Sequence, residues 1–173
     1  MHPLIRAVAL ECHFDSKSNF MEKTLVLLKP CTVQRGLVGE IISRFEKKGL
    51  KLIGMKMMQL TDEILCEHYS HLREKPFFGI LKDSMKATPV LACCWEGIDA
   101  VRVVRTMTGS TNGRNADPGT IRGDYCMSNQ QNIVHASDSL EMAAVEIKRF
   151  FKEEELFEYT PSNLNFMYAL DEM

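Results

Sequence analysis

Hydrophobic positions along the chain switch between a strand-like and a helix-like spacing, and the switches divide it into elements. Thr24 to Leu28 is a short apolar run with β-branched members, bounded by Lys23 and by Lys29-Pro30. It reads as a strand that Pro30 ends, because proline supplies no ladder donor. Val38, Ile41, Ile42 and Phe45 fall at i, i+3, i+4 and i+7 with charged residues between them, which predicts an amphipathic helix closed by Gly49. Leu50 to Leu60 returns to a strand. Thr61 can cap a helix from Asp62 to Leu72, whose first-turn acids suit the helix dipole. A short helix over Phe77 to Lys86, a strand over Val90 to Trp95 and a helix from Ile98 to Met107 follow. Residues 109–128 form a long loop rich in Gly, Asn, Asp and Thr, of the kind that is usually functional or disordered. Gln131 to Ala136 is the last strand. Ser137-Asp138-Ser139 then caps a helix with Leu140, Ala143, Ala144, Ile147 and Phe151 on one stripe and Glu146 near its edge. The acidic run Glu153-Glu154-Glu155 opens a more polar C-terminal segment. The order β-α-β-α-α-β-α-β-α predicts one α/β domain with helices packed on a mixed or antiparallel sheet.

Composition narrows the setting. The chain has 173 residues, 45% hydrophobic and 25% charged, which suits a single domain with a sizeable core. The formal net charge is -2 and the pI is near 6.2, so no global basic field points to nucleic acid or a membrane surface. No apolar stretch reaches the roughly 18–20 residues that span a bilayer. Of the six cysteines, Cys93 and Cys94 are adjacent inside a buried-strand pattern, and no C-x-x-C pair or Cys/His zinc spacing occurs. They read as reduced thiols in a cytoplasmic protein. Leu4 to Leu10 is weakly apolar, broken by Arg6 and followed by Glu11, His13 and Asp15, a poor match to a secretory or mitochondrial leader. Residues 1–20 are read as a disordered extension, with Met21 an alternative start and 21–173 the folded domain.

Candidate chemistry gathers late in the chain. His135 stands at a strand end just before a capped helix, where a ring nitrogen can act as a covalent nucleophile beside donors and a positive dipole end. Arg105, Thr111 and Arg122 flank or lie in the long loop, and arginine forks suit phosphate oxygens and a transferring phosphoryl group. Lys29 follows a strand at a similar edge. Phe77 offers a flat face to a base, and Tyr69 a hydroxyl. Each of these residues alone is equally readable as core or solvated surface. Neither a G-x-x-x-x-G-K-[ST] loop nor a G-x-G-x-x-G fingerprint occurs, so a nucleotide site here has to hold phosphates with side chains and an irregular loop.

Taken together, the residues carry a resemblance. From Glu22 to Tyr168 the chain resembles the nucleoside diphosphate kinases. The matching blocks are Lys29-Pro30, Val33 through Ile42, Glu67-His68-Tyr69, Pro76-Phe77-Phe78, Thr111-Asn112, Pro118 through Asp124, and Asn132 through Ser139, against a family signature of N-x-x-H-G-S-D-S. The resemblance implies a ferredoxin-like fold with a four-stranded antiparallel sheet covered by helices, and a ping-pong exchange of the terminal phosphate between nucleoside tri- and diphosphates such as ATP and GDP. It implies His135 as the phosphorylated nucleophile and Glu146 as the acid that orients it. Lys29, Tyr69, Arg105, Thr111, Arg122 and Asn132 match positions that hold the phosphates and ribose, and Phe77 matches the aromatic on which the base stacks. Mg2+ would ride on the phosphates with little protein ligation. A homo-hexamer is implied, the C-terminal segment Phe157 to Met173 looking more like the hexameric group than the tetrameric one. Four stretches depart from the family pattern: Cys31-Thr32 for Asp-Gly, Asn112-Gly113 for Asn-Pro, Asn129-Gln130-Gln131 for an apolar–Gly–Arg sequence, and Ala136 for the signature glycine. None deletes a catalytic group. The departures leave one competing reading, a weak relative kept as a nucleotide-binding scaffold. Nucleic-acid regulation gains nothing from the acidic balance.

Overall fold

A computed structural model describes residues 21–172. The sequence reading of residues 1–20 lies outside the described residues. Strand β1 (Met21–Leu28) is followed by a short helix α1 (Pro30–Gln34) and by α2 (Val38–Lys48). Then come β2 (Lys51–Met58), α3 (Asp62–His68), α4 (Phe78–Lys86), β3 (Val90–Ile98) and α5 (Ala100–Thr108). Helix α6 (Ile121–Tyr125), β4 (Val134–Ala136) and α7 (Leu140–Phe150) complete the core.

Three expectations about elements need correction. Pro30 does not end regular structure; it opens α1 at the first helical position, where a missing N–H costs nothing and its fixed φ is preorganised. The helix after Thr61 stops at His68, so Tyr69 is its C-cap rather than a helical residue, and Ser70–Leu72 continue as a 3-10 turn. The long loop contains α6, which Thr120 caps by accepting from the Gly123 N–H at 3.0 Å. Five residues are too few to show a helical period. Gly49, at φ 100°, closes α2 as the sequence predicts.

The sheet is ferredoxin-like, with strand order β2-β3-β1-β4 and every pair antiparallel. Because β1 and β3 lie inside it, both of their faces are covered along Leu25–Leu28 and Val90–Trp95, and these stretches read as continuous apolar runs. Alternate residues serve opposite layers. Val26, Leu28, Cys93 and Trp95 pack with Ile41 and Phe45 of α2 and Val104 of α5. Leu25, Leu27, Ala92 and Cys94 pack with Leu65 of α3, Leu81 and Met85 of α4, and Ile147 and Phe150 of α7. Register then places the site. His135 pairs with Leu27 and therefore faces the second layer, while its neighbours Val134 and Ala136 face the first. Cys31, Cys66, Cys93, Cys94 and Cys126 are all free thiols. No described helix is long and apolar enough to cross a membrane.

Candidate active site

A cavity of about 430 Å³ opens on the second layer, between β4, α7 and the turns after α3 and α5. All nine residues singled out in the sequence line it.

On its floor, His135 and Glu146 are joined. His135 Nε2 lies 2.9 Å from Glu146 Oε1, and the other carboxylate oxygen accepts from Ser137 Oγ at 2.6 Å. Ser137 Oγ in turn accepts the Leu25 N–H at 3.2 Å, so the chain reaches back into β1. Glu146 is only 3% exposed. Burial opposes its ionisation, but the hydrogen bonds from His135 and from the Ser137 hydroxyl hold it below the usual carboxylate range. An ionised carboxylate only accepts, so Nε2 of His135 carries a proton and Nδ1 is the nitrogen with the free lone pair in the neutral ring.

His68 packs edge-on against His135, ring centroids 4.4 Å apart, and touches Tyr69 and Phe150 as well. Its Nδ1 lies 3.6 Å from Glu146 Oε1, which on distance alone resembles an ion pair. However, the same nitrogen lies 3.3 Å from Arg149 Nη1, and a guanidinium can only donate. His68 Nδ1 is therefore an acceptor and the ring is neutral. Burial, then repulsion from His135, lowers its pKa to about 3, in agreement. His68, His135 and Glu146 could in principle surround a cation, their ligand atoms lying within 4.8 Å of one another. Arg149 already occupies His68 Nδ1, and both Glu146 oxygens are committed.

The cationic wall is equally fixed. Arg122, 4% exposed, donates to three backbone carbonyls: Asn132 O at 3.1 Å, Gly109 O at 2.7 Å and Val134 O at 2.7 Å. Burial and the nearby Arg105 lower its pKa to about 10. Gly109 has φ 76°, and a Cβ there would lie 2.4 Å from Thr120 Oγ1, so only glycine lets the carbonyl reach Arg122. Lys29 is buried, its ammonium donating to Asn132 Oδ1. Burial and then Arg122 bring its pKa down to about 8. Asn132 Nδ2 donates to Asn129 O at 2.8 Å, so this residue brackets Lys29 to the loop before β4. The departure at Thr32 is accommodated here: its hydroxyl and the Lys29 N–H both donate to Ile133 O. Ile133 itself is buried at φ 70°, a left-handed conformation costing a β-branched residue on the order of 1–3 kcal/mol. Tyr69 is buried, and burial followed by the charge of Glu146 pushes its phenol up, so it stays protonated. Its hydroxyl has no hydrogen-bond partner among the described residues.

The mouth is different. Phe77 is 40% exposed, Thr111 is exposed, and Arg105 pairs with Asp138 at 2.6 Å in an ion pair open to solvent. Such a pair is worth about 0–1 kcal/mol, so Arg105 is readily released to another anion. The arrangement offers a tethered imidazole beside several cations and a phenolic donor, suited to an incoming polyphosphate.

The sequence of residues 22–156 matches the family described as nucleoside diphosphate kinase. The chain belongs to the nucleoside diphosphate kinase family. A nucleoside diphosphate kinase of Parabacteroides distasonis is 70% identical over 152 residues, covering 88% of this chain and 99% of the relative. Nucleoside diphosphate kinase A of Homo sapiens is 49% identical over 147 residues, covering 85% and 97%. Among solved structures, a nucleoside diphosphate kinase from Halobacterium salinarum in complex with CDP superimposes with a TM-score of 0.85 at 41% identity, covering 87% of this chain and 100% of that one. Phosphoryl transfer between nucleotides is thus the activity of the chain. Within this nucleoside diphosphate kinase fold, sequence reasoning did not assign two polar side chains beside the His135–Glu146 pair. Ser137 was read only as a helix cap, and His68 only as part of a matching block. Neither spacing nor periodicity shows that both meet Glu146, because those contacts form between separate elements gathered on one face of the sheet.

Proposed function

We propose that the transfer is ping-pong through a phosphohistidine at His135 Nδ1. The observation that carries this reading is the Leu25–Ser137–Glu146–His135 chain, which fixes the ring and assigns the lone pair to Nδ1. Nδ1 attacks the terminal phosphorus of a nucleoside triphosphate, the P–N bond forms, and the bond to the bridging oxygen breaks to release the diphosphate. The imidazolium charge that develops is stabilised by Glu146 through Nε2–H. In the second half, a terminal oxygen of an incoming diphosphate attacks the same phosphorus and the P–N bond breaks, restoring neutral His135. Lys29, Arg122, Arg105 and Thr111 hold the phosphate oxygens, Tyr69 donates its otherwise unpartnered hydroxyl to the transferring group, and Asn132 keeps Lys29 in place. Phe77 gives the base a stacking face that any base satisfies.

The polar lining fits a metal carried by the nucleotide rather than a resident one. Glu146 is engaged at both oxygens and Asp138 is paired with Arg105, and among the described residues no other carboxylate lines the cavity. Mg2+ bound to the phosphates supplies further neutralisation of their charge. Assembly as a homo-hexamer draws support from exposed Met55 and Met57 on edge strand β2 and from exposed Phe157, Phe166 and Leu170 in the C-terminal segment. Light scattering of the purified chain tests it, and a monomer or dimer would reject it. A cytoplasmic setting suits the free thiols, with Cys93 and Cys94 pushed up to about 12 by burial and therefore unreactive.

The decisive experiment incubates the protein with ATP labelled in its terminal phosphate, without acceptor, and then adds GDP. Acid-labile, alkali-stable label on the wild type, discharged as GTP and lost in folded His135→Ala, is expected. Label retained by His135→Ala would remove this residue from the role.

A further inference from the structure

The cavity has a polar feature that phosphoryl transfer does not use. Between Cys126 and Asn132 the chain forms a closed turn. Ser128 Oγ accepts from the N–H groups of Gln130 at 3.2 Å and Gln131 at 3.0 Å. Cys126 Sγ accepts the Ser128 N–H at 3.4 Å, and Asn129 O accepts from Asn132 Nδ2 at 2.8 Å. Since Asn132 is also bonded to Lys29, the turn is tied to the floor of the site. The side chains it presents are the reverse. Asn129 and Gln130 both line the cavity, and among the described residues neither carboxamide makes a hydrogen bond.

Each carboxamide carries two N–H donors and a carbonyl acceptor. That set complements a base edge, where an amino or oxo group stands beside a ring nitrogen. Phe77 lines the same cavity. A ring face accepts every base alike, whereas a free carboxamide distinguishes a base that has edge groups from one that lacks them. The apolar–Gly pair common at this place in the family has no side-chain donor or acceptor to do so. Mobile surface amides would gain little, since ordering a loop costs free energy at every residue. Here the backbone is already pinned, and only side-chain rotamers remain to be fixed.

We propose that Asn129 and Gln130 read the hydrogen-bonding edge of the nucleobase, giving this chain a preference, among purine nucleotides, for those that carry an amino or oxo group at C6. The inference rests on reading the cavity as the nucleotide site.

The test uses the full chain, first phosphorylated from ATP. Its discharge is then measured as kcat/KM with three acceptors: the 5′-diphosphates of adenosine, inosine and purine riboside, the last lacking any group at C6. One carboxamide–base hydrogen bond corresponds to roughly a three- to tenfold preference. The wild type is expected to favour the adenosine and inosine compounds by that margin, and Asn129→Val/Gln130→Gly to bring all three within about twofold. Equal kcat/KM for the three acceptors in the wild type overturns the proposal without recourse to any variant. So does a wild-type preference that survives unchanged in the double variant or, if that variant fails to fold, in both Asn129→Ala and Gln130→Ala. Absence of any phosphoenzyme from ATP sinks the nucleotide-site reading and this inference together; phosphoenzyme discharged equally by all three sinks this inference alone.

Discussion

At the floor of the cavity Arg122, Lys29, Asn132, Glu146 and Ser137 are buried and bonded to backbone or to one another, whereas at its mouth Phe77, Arg105, Thr111 and Gln130 are exposed, and the Arg105–Asp138 ion pair is open to water. On the proposed mechanism the difference follows from what each end has to do. A phosphoryl group in transit has one geometry and concentrated charge, so preorganised donors in a dry setting give the largest gain. A base is bound through a flat face and an edge, which tolerate looser holding. The floor also bears the cost of this order: Lys29, Arg122 and His68 all have their cationic forms disfavoured by burial, and Ile133 sits in a left-handed conformation. Damage to the floor should therefore affect both stability and turnover, and damage to the mouth mainly apparent affinity.

The sharpest test is Arg122→Ala. It removes the donors to three carbonyls as well as the proposed phosphate ligand, so turnover is expected to fall by about 10³-fold or more. Stability should drop by about 2–4 kcal/mol in urea unfolding at the same time. An affinity change with intact stability would erase the distinction between floor and mouth.

His68 gives the next effect, read from pH. Its folded pKa of about 3 is depressed from 6.5, so its contribution to stability is fully present above 6.5 and is lost as pH falls toward 3. By pH 4.5 the loss should reach about 3 kcal/mol, and a folded His68→Gln should show a flatter acid limb in thermal unfolding. Ser137→Ala leaves the Leu25 N–H and a Glu146 oxygen buried without their partner, and is expected to cost about 1–3 kcal/mol. Turnover should fall with it, because the carboxylate that orients His135 loses its second anchor.

Lys29 holds its proton only up to about pH 8, so kcat/KM for ATP, which reports the free enzyme, should fall about tenfold between pH 7 and 9. Lys29→Arg keeps its charge and should flatten that limb. Phe77→Ala has the smallest expected effect, a rise in KM of roughly fivefold with kcat nearly unchanged. A large loss of kcat there would place the aromatic in the transferring machinery and break the comparison from the other side.

Much of this molecule was legible in its residues because the relevant signals are local. Strand runs at Thr24–Leu28 and Val90–Trp95, the amphipathic stripe ending at Gly49, the caps before α7 and the block around His135 depend on neighbours within a turn or two. That these nine residues share one cavity was legible only from their matching as a set, since each alone reads as core or surface. Tertiary structure decided the rest. Helix α6 is too short to show a period, and the stop of α3 before Tyr69 leaves no local signal. The antiparallel pairing of Leu27 with His135 chose the face on which the imidazole points, and thereby brought it to Glu146 and His68. Register, burial and the pKa shifts that follow from burial are properties of contacts between segments distant in sequence. The order of residues carries the parts, and only their packing fixes which nitrogen is free, which lysine is half-titrated at pH 8, and which amides lining the cavity make no hydrogen bond among the described residues.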